Sequence, residues 1–175
     1  MKHNLLILLA ILLSIPVGAA SYKKTTDGVV VTLSSKSDTT ARMVRLQVVD
    51  SKIIRVTAVP GRKFPKEKSL VVLPESYKKT PFTVEESDGR VKLETDAVRA
   101  TVDLKTGEVA FADTCGTKRL QERRGGGKKF RPITVDGVSA YSYWQQFESP
   151  DDEAFYGLGQ HQSDCLLYTS PSPRD

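Results

Sequence analysis

Apolar residues in this chain recur at every second position over short stretches, and not at the three-to-four spacing of a helix. Val44, Leu46 and Val48 alternate with Arg45 and Gln47, and Val98, Ala100, Val102 and Leu104 alternate with Arg99, Thr101 and Asp103. An extended strand sends successive side chains to opposite faces, so this period dictates strands with one buried face. Turn residues separate the stretches. Asp50-Ser51-Lys52 leads into Ile53–Val59, which Pro60-Gly61 ends, and Ser69–Leu73 stops at Pro74. Ser87-Asp88-Gly89 joins Phe82–Glu86 to Arg90–Glu94, and Asp-Gly suits the positive φ angles of a tight hairpin. Lys105-Thr106-Gly107 returns the chain into Glu108–Ala112, where Val109 and Phe111 resume the buried face. Asp113–Lys118 is a polar turn before a strand opening at Leu120, and Phe130–Val135 and Tyr141–Phe147 follow. Outside the first twenty residues no amphipathic helical stretch occurs. About ten short strands without helices predict an all-β sandwich or barrel.

The two ends stand apart from this pattern. In residues 1–20, Lys2 and His3 precede an apolar run from Leu5 to Ile15, then Pro16 and the small residues Gly18-Ala19-Ala20. That is the layout of a secretory signal peptide, with an apolar core shorter than the roughly 18 to 20 residues that span a bilayer. A secreted or periplasmic protein is expected, with no membrane span after cleavage. Residues 165–175, Cys-Leu-Leu-Tyr-Thr-Ser-Pro-Ser-Pro-Arg-Asp, look like the in-frame translation of a transposase-type sequencing adapter. On that reading native sequence runs to Asp164, and residues 21–164 form one β-sandwich domain that is incomplete at its C-terminal end. The 175 residues are 39% hydrophobic and 27% charged, which suits a globular domain with its own core.

Counting narrows the chemistry. Between the two ends one cysteine, Cys115, and one histidine, His161, remain, so an internal disulfide, a zinc cluster and a His-based triad each lack a second member. No metal or cofactor is expected. The net charge of +5 comes from 26 basic against 21 acidic residues, a small surplus in which only Arg123, Arg124, Lys128 and Lys129 cluster. Nucleic-acid binders concentrate charge along a face, so no nucleic-acid partner is expected.

Three local motifs invite functional readings. Arg123-Arg124-Gly125-Gly126-Gly127-Lys128-Lys129 suggests a phosphate loop, but that loop needs a Ser or Thr after the lysine and a helix to follow. Phe130 follows instead, so the segment reads as a solvated, flexible basic loop. Glu148, Asp151, Asp152 and Glu153 lie in one short stretch and read as a charged surface loop, not as a catalytic carboxylate pair or a calcium site. Tyr141, Tyr143, Gln145 and Phe147 fall on one side of a strand and Trp144 on the other. Flat rings stack on sugar faces, but core packing is the favoured reading.

The segment Asp152-Glu153-Ala154-Phe155-Tyr156-Gly157-Leu158-Gly159-Gln160-His161-Gln162 resembles the join between the N-terminal sandwich and the catalytic barrel in glycoside hydrolase family 31, in particular its bacterial α-xylosidase branch. Val44–Val59 is similar to that family's opening hairpin, and Thr95–Leu120 to its next one. The likeness covers about Val29 to Asp164, with three segments in the right order. It implies a galactose-mutarotase-like β-sandwich from an exported, retaining α-glycosidase that cleaves α-linked oligosaccharides. It also implies that both catalytic aspartates lie on a barrel absent from this sequence, so the resemblance assigns no catalytic residue here. The partners implied are that barrel and, through the whole enzyme, an oligosaccharide. A stand-alone carbohydrate-binding sandwich without catalysis is the competing expectation, resting on the aromatic strand. His161 has no visible partner and reads as a loop residue.

Overall fold

The computed structural model of the chain describes residues 20–34, 37–66, 79–150 and Glu153. They form eleven antiparallel strands, with no helix among the described residues. Strands β1 (Ser21–Thr25), β2 (Gly28–Thr32), β3 (Met43–Asp50) and β4 (Ile53–Val59) make a four-stranded sheet in that order. A five-stranded sheet follows, again in chain order, from β5 (Thr83–Ser87), β6 (Arg90–Glu94), β7 (Val98–Asp103), β8 (Val109–Asp113) and β9 (Lys118–Gln121). Last comes a hairpin of β10 (Lys128–Val135) and β11 (Val138–Gln145).

The period-two pattern becomes the core. Val29 and Val31 on β2 stand opposite Leu46 and Val44 on β3, while Val91 and Leu93 on β6 stand opposite Val102 and Ala100 on β7. All eight are completely buried, in one cluster shared by the two sheets, with Val48, Val109, Leu33, Ala41 and Phe130. Two sheets closing on a common layer of side chains is a β-sandwich. Short β-branched residues fill most of that layer, so the sheets approach closely. At Gly107, in the β7–β8 turn, an added Cβ would lie 2.5 Å from Leu33 Cδ1. The Thr95 hydroxyl after β6 donates 2.6 Å to the Ser51 carbonyl between β3 and β4, a polar tie at the rim.

Most expected strands are present within one or two residues of their expected ends, and Asp88-Gly89 adopts φ of 53° and 70°. One hairpin is additional. β1 and β2 meet at a two-residue turn, Thr26-Asp27, where the Asp27 carboxylate accepts bonds from Thr25 Oγ1 at 2.8 Å and Gln47 Nε2 at 2.7 Å. The expected strand over residues 69–73 lies outside the described residues, as do the expected signal peptide over 1–19 and the adapter-like tail over 165–175.

Gly28 opens β2 where the β3 backbone presses closest. A Cβ there would fall 1.9 Å from the Leu46 carbonyl oxygen, an atom that cannot move without breaking the β2–β3 register. Gly28→Ala is therefore expected to destabilise the domain by about 2–3 kcal/mol, read as a lower urea midpoint at unchanged slope.

Candidate functional site

The glycine-rich basic segment does not behave as one solvated loop. Gly125 stands in the open, but an added Cβ at Gly127 would lie 2.3 Å from the Gln146 carbonyl, so the chain passes directly against the end of β11. Gln146 N–H donates to Gly127 O at 2.8 Å, and Arg123 N–H donates to Gln146 O at 3.0 Å. This approach turns Lys128 inward. Its side chain is only 3% exposed and pairs with Glu122, whose side chain is 5% exposed. The Lys128 ammonium also donates to the Gly107 carbonyl at 3.0 Å. Glu122 has both oxygens occupied: Oε2 accepts from Lys128 and from the Val109 N–H at 2.9 Å, and Oε1 from Gln145 Nε2 at 2.9 Å. Burial pushes the Lys128 ammonium below its ordinary value, opposed by the Glu122 charge. The expected solvated loop is thus corrected at Gly127 and Lys128. Lys128 defaults to surface in a sequence reading, and its partner lies six residues upstream, across a turn. The basic cluster is also dispersed, since Lys128 points inward while its exposed neighbour Lys129, one residue along the strand, belongs to the opposite face.

The aromatic strand is β11, and it is not core among the described residues. Tyr141, Tyr143, Trp144 and Phe147 are each about half exposed, at 46–51%. Phe130, across the hairpin, is the buried ring. It meets Tyr143 with ring centroids 5.1 Å apart and Tyr141 edge-on at 6.1 Å. The expected alternation is correct, because Tyr141 and Tyr143 share the face of Phe130 and Trp144 lies on the other. Packing as core is the part overturned: alternation assigns a side, not what covers it. Partial burial, with the nearby Glu122 charge, pushes the Tyr143 phenol up to about 12. Trp144 edges a shallow concavity with Thr39, Thr40, Lys129 and Gln146.

The widest concavity, about 520 Å³, lies on the outer face of the five-stranded sheet, among Arg90, Arg99, Asp103, Glu108, Lys118 and Arg124. Its carboxylates already fasten turns. Asp103 Oδ1 accepts from the Lys105 and Thr106 N–H groups, both at 2.9 Å, and from the Thr106 hydroxyl at 3.0 Å. Glu108 accepts from Gln121 Nε2 at 2.8 Å and from the Gly125 N–H at 3.1 Å. Asp113 accepts from the Thr117 N–H and from Arg119, both at 2.8 Å. Burial alone would raise Asp103, but the Thr106 and Lys105 donors with Arg90 outweigh it and hold the carboxyl below 3.8. The Thr117 N–H and Arg119 do the same for Asp113. Acids engaged in this way hold loops in shape and are not poised to transfer a proton.

Of the acidic stretch, Glu148 accepts from the Arg124 N–H at 2.8 Å and Glu153 from the Ser149 hydroxyl at 2.7 Å, both exposed. Asp151, Asp152, His161 and residues 154–162 of the family-like segment lie outside the described residues. Cys115 is an exposed free thiol in the β8–β9 turn. No group of three or more metal-ligating side chains occurs among the described residues. Glu122 and Lys128 are the pair that sequence reading missed. The available signal was the triple glycine, which marks a close backbone approach as readily as a flexible loop.

Residues 43–170 match the glycosyl hydrolase 31 N-terminal galactose mutarotase-like domain. Among solved structures the chain is similar to the family 31 α-xylosidase of Xanthomonas citri, with 42% sequence identity and a TM-score of 0.69 over 80% of this chain. The chain spans 15% of that protein.

Two outcomes follow from the buried pair and the turn carboxylates. Glu122→Gln or Lys128→Met alone leaves an uncompensated buried group and is expected to cost about 3–5 kcal/mol in urea unfolding. The double variant is expected to cost clearly less than the sum of the two, as a cycle of coupled partners requires. Asp103 and Asp113 have depressed folded values, so their contribution is present above their ordinary 3.8 and is lost as the pH falls through the folded values. Thermal melts are thus expected to drop steeply below about pH 4, with a smaller acid-induced loss in Asp103→Asn, whose amide does not titrate.

Proposed function

Because the chain belongs to glycoside hydrolase family 31, as its N-terminal galactose mutarotase-like domain, we propose that it is the non-catalytic N-terminal part of an exported, retaining α-glycosidase of the α-xylosidase type. The observation that carries this reading is the 42% identity to an α-xylosidase over 80% of the chain. The signal-peptide layout of residues 1–20 supports export to the periplasm or beyond. Retention of configuration needs a nucleophile and an acid/base about 5–5.5 Å apart across the scissile bond. Asp103, Glu108, Asp113 and Glu122 instead each accept two or more local bonds, which supports placing the chemistry on the catalytic portion of the full-length enzyme. The role of this domain is then to pack against that portion and support the entrance to its pocket.

The half-exposed rings of β11 favour a second reading, a stand-alone sugar-binding sandwich. Aliphatic Ile133, Val135 and Val138 accompany those rings on the hairpin, a mixture that suits protein packing better than a sugar platform edged by hydrogen-bonding groups.

Sequencing the source DNA downstream of the Asp164 codon is expected to show an open frame of several hundred codons. The enzyme it encodes is expected to release 4-nitrophenol from the α-xyloside, whereas the 175-residue chain releases none above a blank. A stop within a few codons, joined by a saturable calorimetric signal with xyloglucan oligosaccharides that Trp144→Ala abolishes, would replace this reading with the second.

A further inference from the structure

The β10–β11 hairpin is apolar on both faces. Of the ten large apolar side chains exposed among the described residues, six belong to it. Tyr141 and Tyr143 stand with Phe130 on one face; Ile133, Val135, Val138 and Trp144 occupy the other. A sheet with one solvated side alternates apolar with polar, and a two-stranded ribbon with two apolar sides is only marginally stable by itself. The edges carry a second, independent signal. Every other edge strand among the described residues bears charge: Lys23 and Lys24 on β1, Arg55 on β4, Glu85 and Glu86 on β5, Lys118 and Arg119 on β9, and Arg131 on β10. Such charges block unwanted strand addition. β11 bears none over its eight residues, Val138 to Gln145. The bond from Gln146 N–H to Gly127 O fixes the register, so the N–H groups of Ser139, Tyr141, Tyr143 and Gln145 face away from β10. No strand pairs along that edge among the described residues.

We propose that β10–β11 is a docking arm, and that the polypeptide following Glu153 in the full-length protein closes over both its faces and adds a strand along the outer edge of β11. This rests on the multidomain glycosidase reading above. The occupant follows from where the chain leads and how much is missing. The described chain leaves the hairpin at Gln146 and continues to Pro150, and the whole spans 15% of the α-xylosidase it matches. A remainder of that size is ample to cover an eight-residue hairpin. A second copy of this chain fits less well, because pairing two β11 edges would leave the faces of Trp144 and Tyr141 open.

Hydrogen exchange measured by mass spectrometry on the full-length enzyme and on the 175-residue chain tests this. Peptides covering Val138–Gln145 are expected to exchange about a hundredfold more slowly in the full-length enzyme, while those covering the charged edge strand β5 keep their rates within about threefold. Unchanged β11 rates overturn the proposal, as does an equal slowing of β5 and β11, which would report general stabilisation. A dilution series of the 175-residue chain identifies the other occupant: β11 protection that rises with concentration and equals that of the full-length enzyme would assign the edge to a second copy, and overturn it too. Failure of the glycosidase reading is seen separately, as a stop codon soon after Asp164 or a downstream frame without the catalytic portion.

Discussion

One carboxylate holds the three sheets in their arrangement. Glu122 accepts from the Val109 N–H on the five-stranded sheet, from Lys128 at the start of the hairpin and from Gln145 at its end. Lys128 in turn holds the carbonyl of Gly107, whose turn rests on Leu33 and Val44 of the four-stranded sheet. The apolar layer supplies the larger driving force, but burial of Val and Leu is indifferent to angle. The ion pair supplies direction, because a buried carboxylate and ammonium are tolerated only where every partner is in place.

The same economy explains why the surface carboxylates have no task beyond the fold. Asp27, Asp103 and Asp113 each close a turn with side-chain or backbone donors. In a domain made of consecutive hairpins the turns must be specified one by one, and short acidic side chains that bind their own backbone do this well. A domain built in this way supports a catalytic neighbour without lending it reactive groups.

What could be read from the sequence tracks how local each cause is. Period-two alternation lies within a strand, so β3, β4, β6, β7 and β8 were legible, together with the faces they bury. The Asp-Gly turn at residues 88–89 was legible for the same reason. The first hairpin was not, because β1 is polar and exposed along most of its length and shows no alternation. Lys128 was misread because its environment is made by residues from four separate segments, none adjacent to it in sequence. The aromatic strand shows the same limit in reverse. The side on which each ring stands was correct, but the extent of cover depends on neighbours that eight residues do not encode.

Trp144 is the single tryptophan in the chain, and it stands on the hairpin outside the shared apolar layer. Intrinsic fluorescence therefore watches one appendage, while circular dichroism averages over all eleven strands. Unfolding curves from the two probes need not coincide even when the sandwich itself opens in a single step, and the usual inference from mismatched probes to a partly folded core loses its force here. An optical signature of the core would have to be introduced by substitution, in a layer that natively holds little beyond valine and leucine.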